Sequence, residues 1–405
     1  MPEQPWAVDC LSAGLDYYKL TMSQLQYQRF PQAEVTFALI NRSAVRLACY
    51  VDVAHLQAHL DALGSQGFTA AEVAYLATLR RSNGQPVFAT DYLSMLATTR
   101  LPAVQVRQVG DDVHVESRGP WPLVTFWETV VMALINEAYF RGWLAAHPHQ
   151  AAEVWQVGQA RLAESVARIQ AIPDLRFVDF GTRRRFGWAW HQHVITTLQA
   201  QVPQQLVGTS NVALAAALGL RPIGTFAHEM PMVYAALAEK QGRNVRASHQ
   251  DFLHDWYDLY GSDLSIALTD TFGSGFFFDT FTAAQARAWR GFRHDSGDPI
   301  AFGEQAIAWY QRHHIDPRSK SIVFSDSLTI DTIAHLQAHF AGRIGVLFGW
   351  GTRLTNDVGL TPLNIVMKAV AVDGIATVKL SDHVGKHTGP SDKIAEYQRL
   401  HFAYS

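Results

Sequence analysis

Apolar and polar residues alternate on both sides of Gly110-Asp111-Asp112 in the segment VQVRQVGDDVHVES, a period of two that predicts a hairpin with its turn at those residues. The Asp pair reads as turn chemistry rather than a metal site. Longer periods surround it. Asp16 to Phe30 has helical composition, Leu123 to Leu144 reads as a long, largely apolar helix, and Glu153 to Ile169 as an amphipathic one. From there β-rich runs recur, each followed by a polar or glycine cluster and then by helix-compatible sequence: RFVDFGTRRR, QLVGTSN, RPIGTFAHE, SIALTD, GFRHDSGD, SIVFSDS and IGVLFGWGT. Such spacing predicts parallel strands joined by helices. Because the polar cluster always follows the strand, the pattern favours a β/α barrel, closed or incomplete, whose C-terminal strand ends share one mouth. An open doubly wound sheet gathers ligand groups at a single switch point and leaves the other strand ends undressed. After Asn364, MKAVAVDGIATVKLSD predicts a hairpin about Asp373-Gly374, and the tail from Ser391 is helical. The expected organisation is an α/β chain. Residues 121–359 form the barrel, and residues 1–120, joined by about 360–405, form a second α+β domain packed on it.

Composition narrows the class. With 405 residues, 48% apolar and 17% charged, the chain can bury a full core. Its formal charge of −3 lacks the basic excess of a nucleic-acid-binding surface. Cys10 and Cys49 are too few for a disulfide framework or a thiolate cage, which fits a reducing compartment. The opening MPEQPWAVDC does not read as a signal peptide. Phe186 to Leu220 has no Asp, Glu, Lys or Arg, but Gln, His, Pro and Gly break it well short of a membrane span. A cytoplasmic enzyme with no nucleic-acid or membrane partner is the expectation.

The strand-end clusters supply Arg183, Arg184, Arg185, Arg293, Asp270, Asp295, Asp298 and Asp326, the run Gly349-Trp350-Gly351-Thr352, and then Lys379 and Lys386. Arginine forks suit carboxylates and phosphates, glycine backbones approach phosphates closely, and aspartates beside phosphates suggest Mg2+ or a sugar diol. An anionic phosphorylated sugar with a metal is the implied ligand. Taken singly, each piece has a plainer meaning: Arg-Arg-Arg as a solvated helix start, an Asp after a strand as a helix cap, Gly-x-Gly-Thr as a turn. RHDSGD is harder to explain structurally, since it packs a cation, an imidazole and two carboxylates into six residues. No Walker A loop is present, GSGFFF lacks the third glycine of a dinucleotide fingerprint, and His383 with His387 flank a glycine without the Glu of a zinc helix.

The stretches LDYYKLTM, VDFGTRRR, VGTSNV, PIGTFAHE, ALTDTF, FRHDSGDP, FSDSL, FGWGTRLTND, PLNIVMK and VKLSD, in this order, resemble bacterial nicotinate phosphoribosyltransferases of the ATP-coupled, phosphohistidine kind. That resemblance implies that nicotinate, phosphoribosyl pyrophosphate and ATP are substrates, with Mg2+ held through phosphates and its protein ligands unassigned. It further implies a head-to-tail homodimer with shared active sites. The pyridine ring falls between Phe180 and, from the other subunit, Tyr18. Arg183 and Arg293 face the nicotinate carboxylate and the phosphates, Asp295 holds the ribose diol, and Gly349, Gly351 and Thr352 form the 5-phosphate nest. Thr209 and Ser210 of VGTSNV and Ser325 of FSDSL count as substrate-binding, while Asp270, Asp326, Lys379 and Ser381 lie near the phosphates or Mg2+. His228 matches the phosphorylated histidine and Glu229 is its expected imidazole partner; on residue pattern alone His228 reads as a buried, satisfied histidine or an ordinary acid/base.

Met230-Pro231 departs from the large aromatic expected after the His-Glu pair, and proline disfavours helix at the residue before it. Quinolinate and nicotinamide phosphoribosyltransferases are the rival enzymes. Quinolinate demands more cations in the base pocket, and the neutral amide of nicotinamide an acidic partner. A catalytically silent binding relative would have lost RHDSGD or His228, and a sugar-phosphate aldolase barrel would place a lysine at a strand end before Lys379.

Overall fold

The computed structural model describes residues 8–402. They contain β1 (Glu34–Asn41), β2 (Val104–Val109), β3 (Asp112–Pro120), β4 (Phe177–Asp179), β5 (Leu206–Thr209), β6 (Ile266–Leu268), β7 (Gly291–His294), β8 (Ser321–Phe324), β9 (Gly345–Trp350), β10 (Ile365–Val372) and β11 (Ile375–Ala376). Two compact units result. The first comprises residues up to Gln32, Thr36–Gly224 and Trp350–Lys368; the second comprises Ala33–Val35, Thr225–Gly349 and the chain from Ala369 onward.

In the first unit the alternating segment forms the expected hairpin, with Val109 opposite Asp112 across a turn at Gly110 and Asp111. Val113, Val115 and Ser117 of β3 are buried while the residues between them are not, as the period of two requires. β2 is the edge of the antiparallel sheet. Two of its outward backbone groups are taken by Gln57, whose amide donates to the Val104 carbonyl and accepts from the Val106 N–H, both at 2.8 Å, which covers that part of the edge against further strands. The core of this unit is the helix Trp127–Ala146, in which every residue from Trp127 to Phe140 is buried. Trp121–Ala146 is long and apolar enough to cross a membrane, but 94% of its apolar 18-residue window is buried inside the protein, which is the environment of a core helix.

Parallel strands form the α/β part. β4 pairs with β5 in the first unit, Asp179 opposite Thr209. In the second, β6, β7, β8 and β9 follow one another in parallel register. Gly291 is required there, because a Cβ on it would lie 1.8 Å from the Ser321 carbonyl oxygen. Six parallel strands are present among the described residues, fewer than the about eight of a closed β/α barrel. The antiparallel strands come from both ends of the sequence, β1 to β3 and β10 to β11, as expected. The hairpin about Asp373-Gly374 and the helix from Ser391 are both present.

One expected strand is absent. RPIGTFAHE forms only an isolated parallel bridge from Pro222 to Thr209. The pairing is confined to Thr209 N–H donating to the Arg221 carbonyl and Ile223 N–H donating back to the Thr209 carbonyl, and Pro222 has no N–H to offer a strand on its other side. The proline after His228 is equally informative. A helix runs from Glu229 to Lys240 with Met230 at its second and Pro231 at its third position. The first helical turn needs no N–H from Pro231, so Met230-Pro231 is accommodated where local geometry was expected to suffer.

Candidate active site

In the second unit three strand ends and the segment after β11 converge on His228. β6 ends at Leu268 and is followed by Thr269-Asp270-Thr271. β7 delivers Arg293 and His294, then turns through Asp295-Ser296-Gly297-Asp298, with Gly297 at φ +84°. That conformation favours glycine and allows Asp298 to cap the helix Pro299–Arg312, its carboxylate accepting the Ala301 N–H at 2.7 Å. The cap role thus belongs to Asp298. Asp295 faces His228 instead.

The His228 imidazole is 4% exposed and held at both nitrogens. Nε2 lies 3.0 Å from Asp295 Oδ2, and Nδ1 lies 3.0 Å from the Thr271 hydroxyl. Glu229, expected as the partner, is not one of these groups; successive residues entering a helix point in different directions. Burial pushes the imidazole down to about 4, reinforced by the Lys379 charge and opposed by Asp270 and Asp295. For Asp295 burial acts upward, but the hydrogen bond from His228 and the charges of Arg293, His228 and Lys379 outweigh it and hold the carboxyl well below its ordinary range. A carboxylate only accepts, so Nε2 carries the proton and Nδ1 keeps a lone pair facing the Thr271 hydroxyl.

Asp270 is the second carboxylate. Its Oδ2 accepts from the hydroxyls of Ser296 at 2.6 Å and Ser381 at 3.2 Å, with Lys379 Nζ at 3.4 Å. Its Oδ1 makes no hydrogen bond among the described residues and lies 3.6 Å from His228 Nε2. Ser381 adopts φ +60°, a left-handed conformation that costs a serine on the order of 1 kcal/mol and collects at functional sites. Ser325 donates to Asp295 Oδ1 at 3.0 Å, and Lys386 ties Asp326 (2.7 Å) to the Asp295 carbonyl (3.2 Å). Asp295 and Asp326 remain 31% and 25% exposed. Arg293 Nε is buried without a hydrogen bond among the described residues. His228, Asp270, Asp295, Arg293, Ser325, Asp326, Lys379 and Ser381 are thereby gathered in one unit. Gly349 lies in β9 of the same unit.

The first unit gathers another group of the expected residues. Ser210 donates to Asp16 Oδ1 at 2.6 Å, and Arg183 stands 3.6 Å from Asp16 and 3.5 Å from Glu128, its guanidinium 5.9 Å from the Tyr18 ring centre. Burial pushes Asp16 up, against the Arg183 charge and the Ser210 hydrogen bond. Glu128 is also buried, yet Lys19, Lys368 and Arg183 bring it down to about 2. The arginine run divides its labour. Arg183 stays 38% exposed, Arg184 donates to the Ile365 carbonyl, and the fully buried Arg185 donates to the Ala13 carbonyl. Thr209 turns inward: its hydroxyl donates to Asp179 at 2.6 Å and accepts the Asn211 N–H. Phe180 donates its N–H to the Trp350 carbonyl, and a Cβ on Gly351 would lie 3.3 Å from the Phe180 oxygen. Thr352 opens the short helix Thr352–Thr355. Sequence reasoning singled out neither Thr271 and Ser296 nor Asp16 and Asp179, although ALTDTF, RHDSGD, LDYYKLTM and VDFGTRRR contain them.

Residues 175–405 match the Nicotinate phosphoribosyltransferase (NAPRTase) family and residues 15–136 match its N-terminal domain. Among solved structures, nicotinate phosphoribosyltransferase from Porphyromonas gingivalis is similar at 32% identity and TM-score 0.85, covering 96% of this chain and 98% of that one. Nicotinate phosphoribosyltransferase from Vibrio cholerae is similar at 31% identity and TM-score 0.88, covering 99% and 95%.

Proposed function

The chain belongs to the nicotinate phosphoribosyltransferase family, and from that premise we propose that it joins nicotinate to phosphoribosyl pyrophosphate, releasing nicotinate mononucleotide and pyrophosphate, at the expense of ATP through phosphorylation of His228. The observation that carries the coupling is the neutral imidazole fixed between an ionised Asp295 and Thr271. Nδ1 bears the lone pair that attacks the γ-phosphorus; ADP leaves, and Asp295 balances the positive charge that the ring acquires. The glycosyl step needs no protein nucleophile. The pyridine nitrogen attacks C1 of the ribose as pyrophosphate departs, and the chain contributes positioning and charge: Arg183 for the nicotinate carboxylate, Phe180 and Tyr18 for the ring, Arg293 and Lys379 for phosphates. Gly349, Gly351 and Thr352 serve the 5-phosphate, and the family resemblance supports a cytoplasmic homodimer with shared active sites.

Mg2+ fits the residues present. His228, Asp270 and Asp295 each offer a ligand atom within 4.8 Å of the others, and the orphaned Asp270 Oδ1 is the hard oxygen donor such a cation prefers. Asp270 and Asp295 would hold it together with phosphate oxygens, where it would offset the charge of the leaving group.

The test is nucleotide formation from nicotinate, nicotinamide and quinolinate, each with and without ATP. A charged hydrogen bond from Arg183 or Arg293 is worth about 1.5–3 kcal/mol, so nicotinate is expected to exceed nicotinamide by roughly ten- to hundredfold per contact. Equal use of the amide, or a rate indifferent to ATP, overturns the reading.

A further inference from the structure

The fully buried Asp179 ends β4 immediately before Phe180. Its Oδ1 accepts the Gly181 N–H at 2.8 Å; its Oδ2 accepts from His191 Nε2 at 2.7 Å and from the Thr209 hydroxyl at 2.6 Å. Its carbonyl accepts the Ser210 N–H at 2.8 Å. Burial raises this carboxyl, but the charge and hydrogen bond of His191, with the bonds from Thr209 and Gly181, bring it below its ordinary value. One carboxylate therefore fixes the exit of β4, the exit of β5 and the helix Trp188–Gln201 to one another. Gly181 is clamped from its other side by Thr355, whose hydroxyl donates to the Gly181 carbonyl at 2.9 Å and whose Cγ2 would lie 2.2 Å from any added Cβ. The loop between these clamps carries Phe180 and Arg183. The loop beyond Thr209 carries Ser210, which holds Asp16 beside the Arg183 guanidinium.

We propose that Asp179, braced by His191 and Thr209, is a positioning residue that sets the spacing of Phe180 and Arg183 against Ser210 and so determines affinity for the pyridine carboxylate without touching it. This rests on the reading of Phe180 and Arg183 as the base pocket. A buried carboxylate suits the task because it accepts several hydrogen bonds at once, each strengthened by its charge and by the low surrounding dielectric. Neutral replacements keep the shape but lose an acceptor or a donor. A loop that relaxes by a fraction of an ångström misaims a charged contact, and about 1 Å of misplacement can cost two orders of magnitude.

The experiment compares Asp179→Asn, Thr209→Val and Thr209→Ser with the wild type in steady-state kinetics, varying nicotinate and phosphoribosyl pyrophosphate separately and recording ATP hydrolysis without nicotinate. Asp179→Asn and Thr209→Val are expected to raise KM for nicotinate by about ten- to hundredfold, while KM for the donor and ATP hydrolysis stay within about twofold of wild type. Thr209→Ser keeps the hydroxyl and is expected to return KM for nicotinate to near the wild-type value. If Asp179→Asn does not fold, Thr209→Val against Thr209→Ser decides. Unchanged KM for nicotinate, or an equal fall in every parameter, overturns the positioning role. A wild type that does not use nicotinate removes the base-pocket reading itself, an outcome visible before any variant is made.

Discussion

Replacing Asp295 by asparagine changes the charge and proton inventory around His228 while leaving volume and helix capping alone. In the wild type the Asp295 carboxylate accepts from His228 Nε2 and from Ser325, both at 3.0 Å. Asparagine can meet Nε2 with its oxygen or with its amide nitrogen. In the first case a charge-assisted bond of about 1.5–3 kcal/mol becomes a neutral one of about 0.5–1.5, a loss near 1–2 kcal/mol. The imidazole gains positive charge as Nδ1 bonds phosphorus, so that loss falls on the transition state and slows phosphorylation by roughly five- to thirtyfold. In the second case the amide donates to Nε2, the proton moves to Nδ1, and the attacking lone pair disappears, for a loss of about a hundredfold or more. Fold stability is expected to drop by no more than about 1–2 kcal/mol, because Asp298 supplies the helix cap. Phosphorylation is read as initial incorporation from γ-labelled ATP with alkaline quench, beside circular dichroism and a thermal melt. A folded variant phosphorylated within twofold of wild type would show that Asp295 neither fixes the tautomer nor balances the charge.

Other outcomes follow from the same geometry. His228→Asn should carry no acid-labile, base-stable phosphate after incubation with ATP and Mg2+, yet retain some ATP-independent glycosyl transfer; phosphate kept by the variant would place the acceptor elsewhere. The depressed imidazole sets a pH signature: an ordinary histidine loses nucleophilicity below about 6.5, whereas phosphorylation here should stay level to near pH 5 and fall only as pH approaches about 4. Its stability counterpart has the same sign, since the unfolded chain binds this proton below about 6.5 and the native chain only near 4. Stability on the order of 3 kcal/mol, present above pH 6.5, is therefore lost as pH falls through that window, and a flat urea midpoint between pH 7 and pH 4.5 would contradict it. Asp298→Ala should lower stability by about 0.5–2 kcal/mol through the lost cap and leave phosphorylation of His228 intact, the reverse of Asp295→Asn.

Much of the fold was legible because hydrophobic period alone specifies it. The β2–β3 hairpin, the buried helix Trp127–Ala146 and the strands ending in Asp179, Thr209, Leu268, His294, Phe324 and Trp350 all lie where apolar runs and turn residues place them. PIGTFAHE was misleading for a physical reason. Its apolar residues satisfy the pattern of a buried strand, but only one bridge to Thr209 forms, and on the side away from β5 Pro222 has no N–H to pair with a further strand. The Met230-Pro231 pair misled in the opposite direction: the rule against helix before proline weakens in the first turn, and the sequence does not announce that Glu229 is where the helix begins.

The site divides along a similar line. Residue type and order revealed which side chains carry charge to the strand ends, but not which partner each takes, because partners come from segments distant in sequence. Nothing in PIGTFAHE indicates that His228 will face Thr271 across 43 positions and Asp295 across 67 rather than the adjacent Glu229. Thr209 and Asp179 show why this matters for function. Both sit in motifs that read as ligand contacts, yet each spends its polar atoms on the protein, and their geometry makes them supports for the residues beside them. A polar residue at a strand end can touch the ligand or hold the residue that does, and sequence cannot separate the two because both require the same chemistry. Separation comes from counting acceptors. Asp179 has every carboxylate oxygen occupied, Asp270 leaves Oδ1 without a hydrogen bond among the described residues, and Asp295 remains partly exposed. In the proposed reading, the acids with spare valence are the ones that would meet a cation or a sugar, and the saturated one would hold the pocket still.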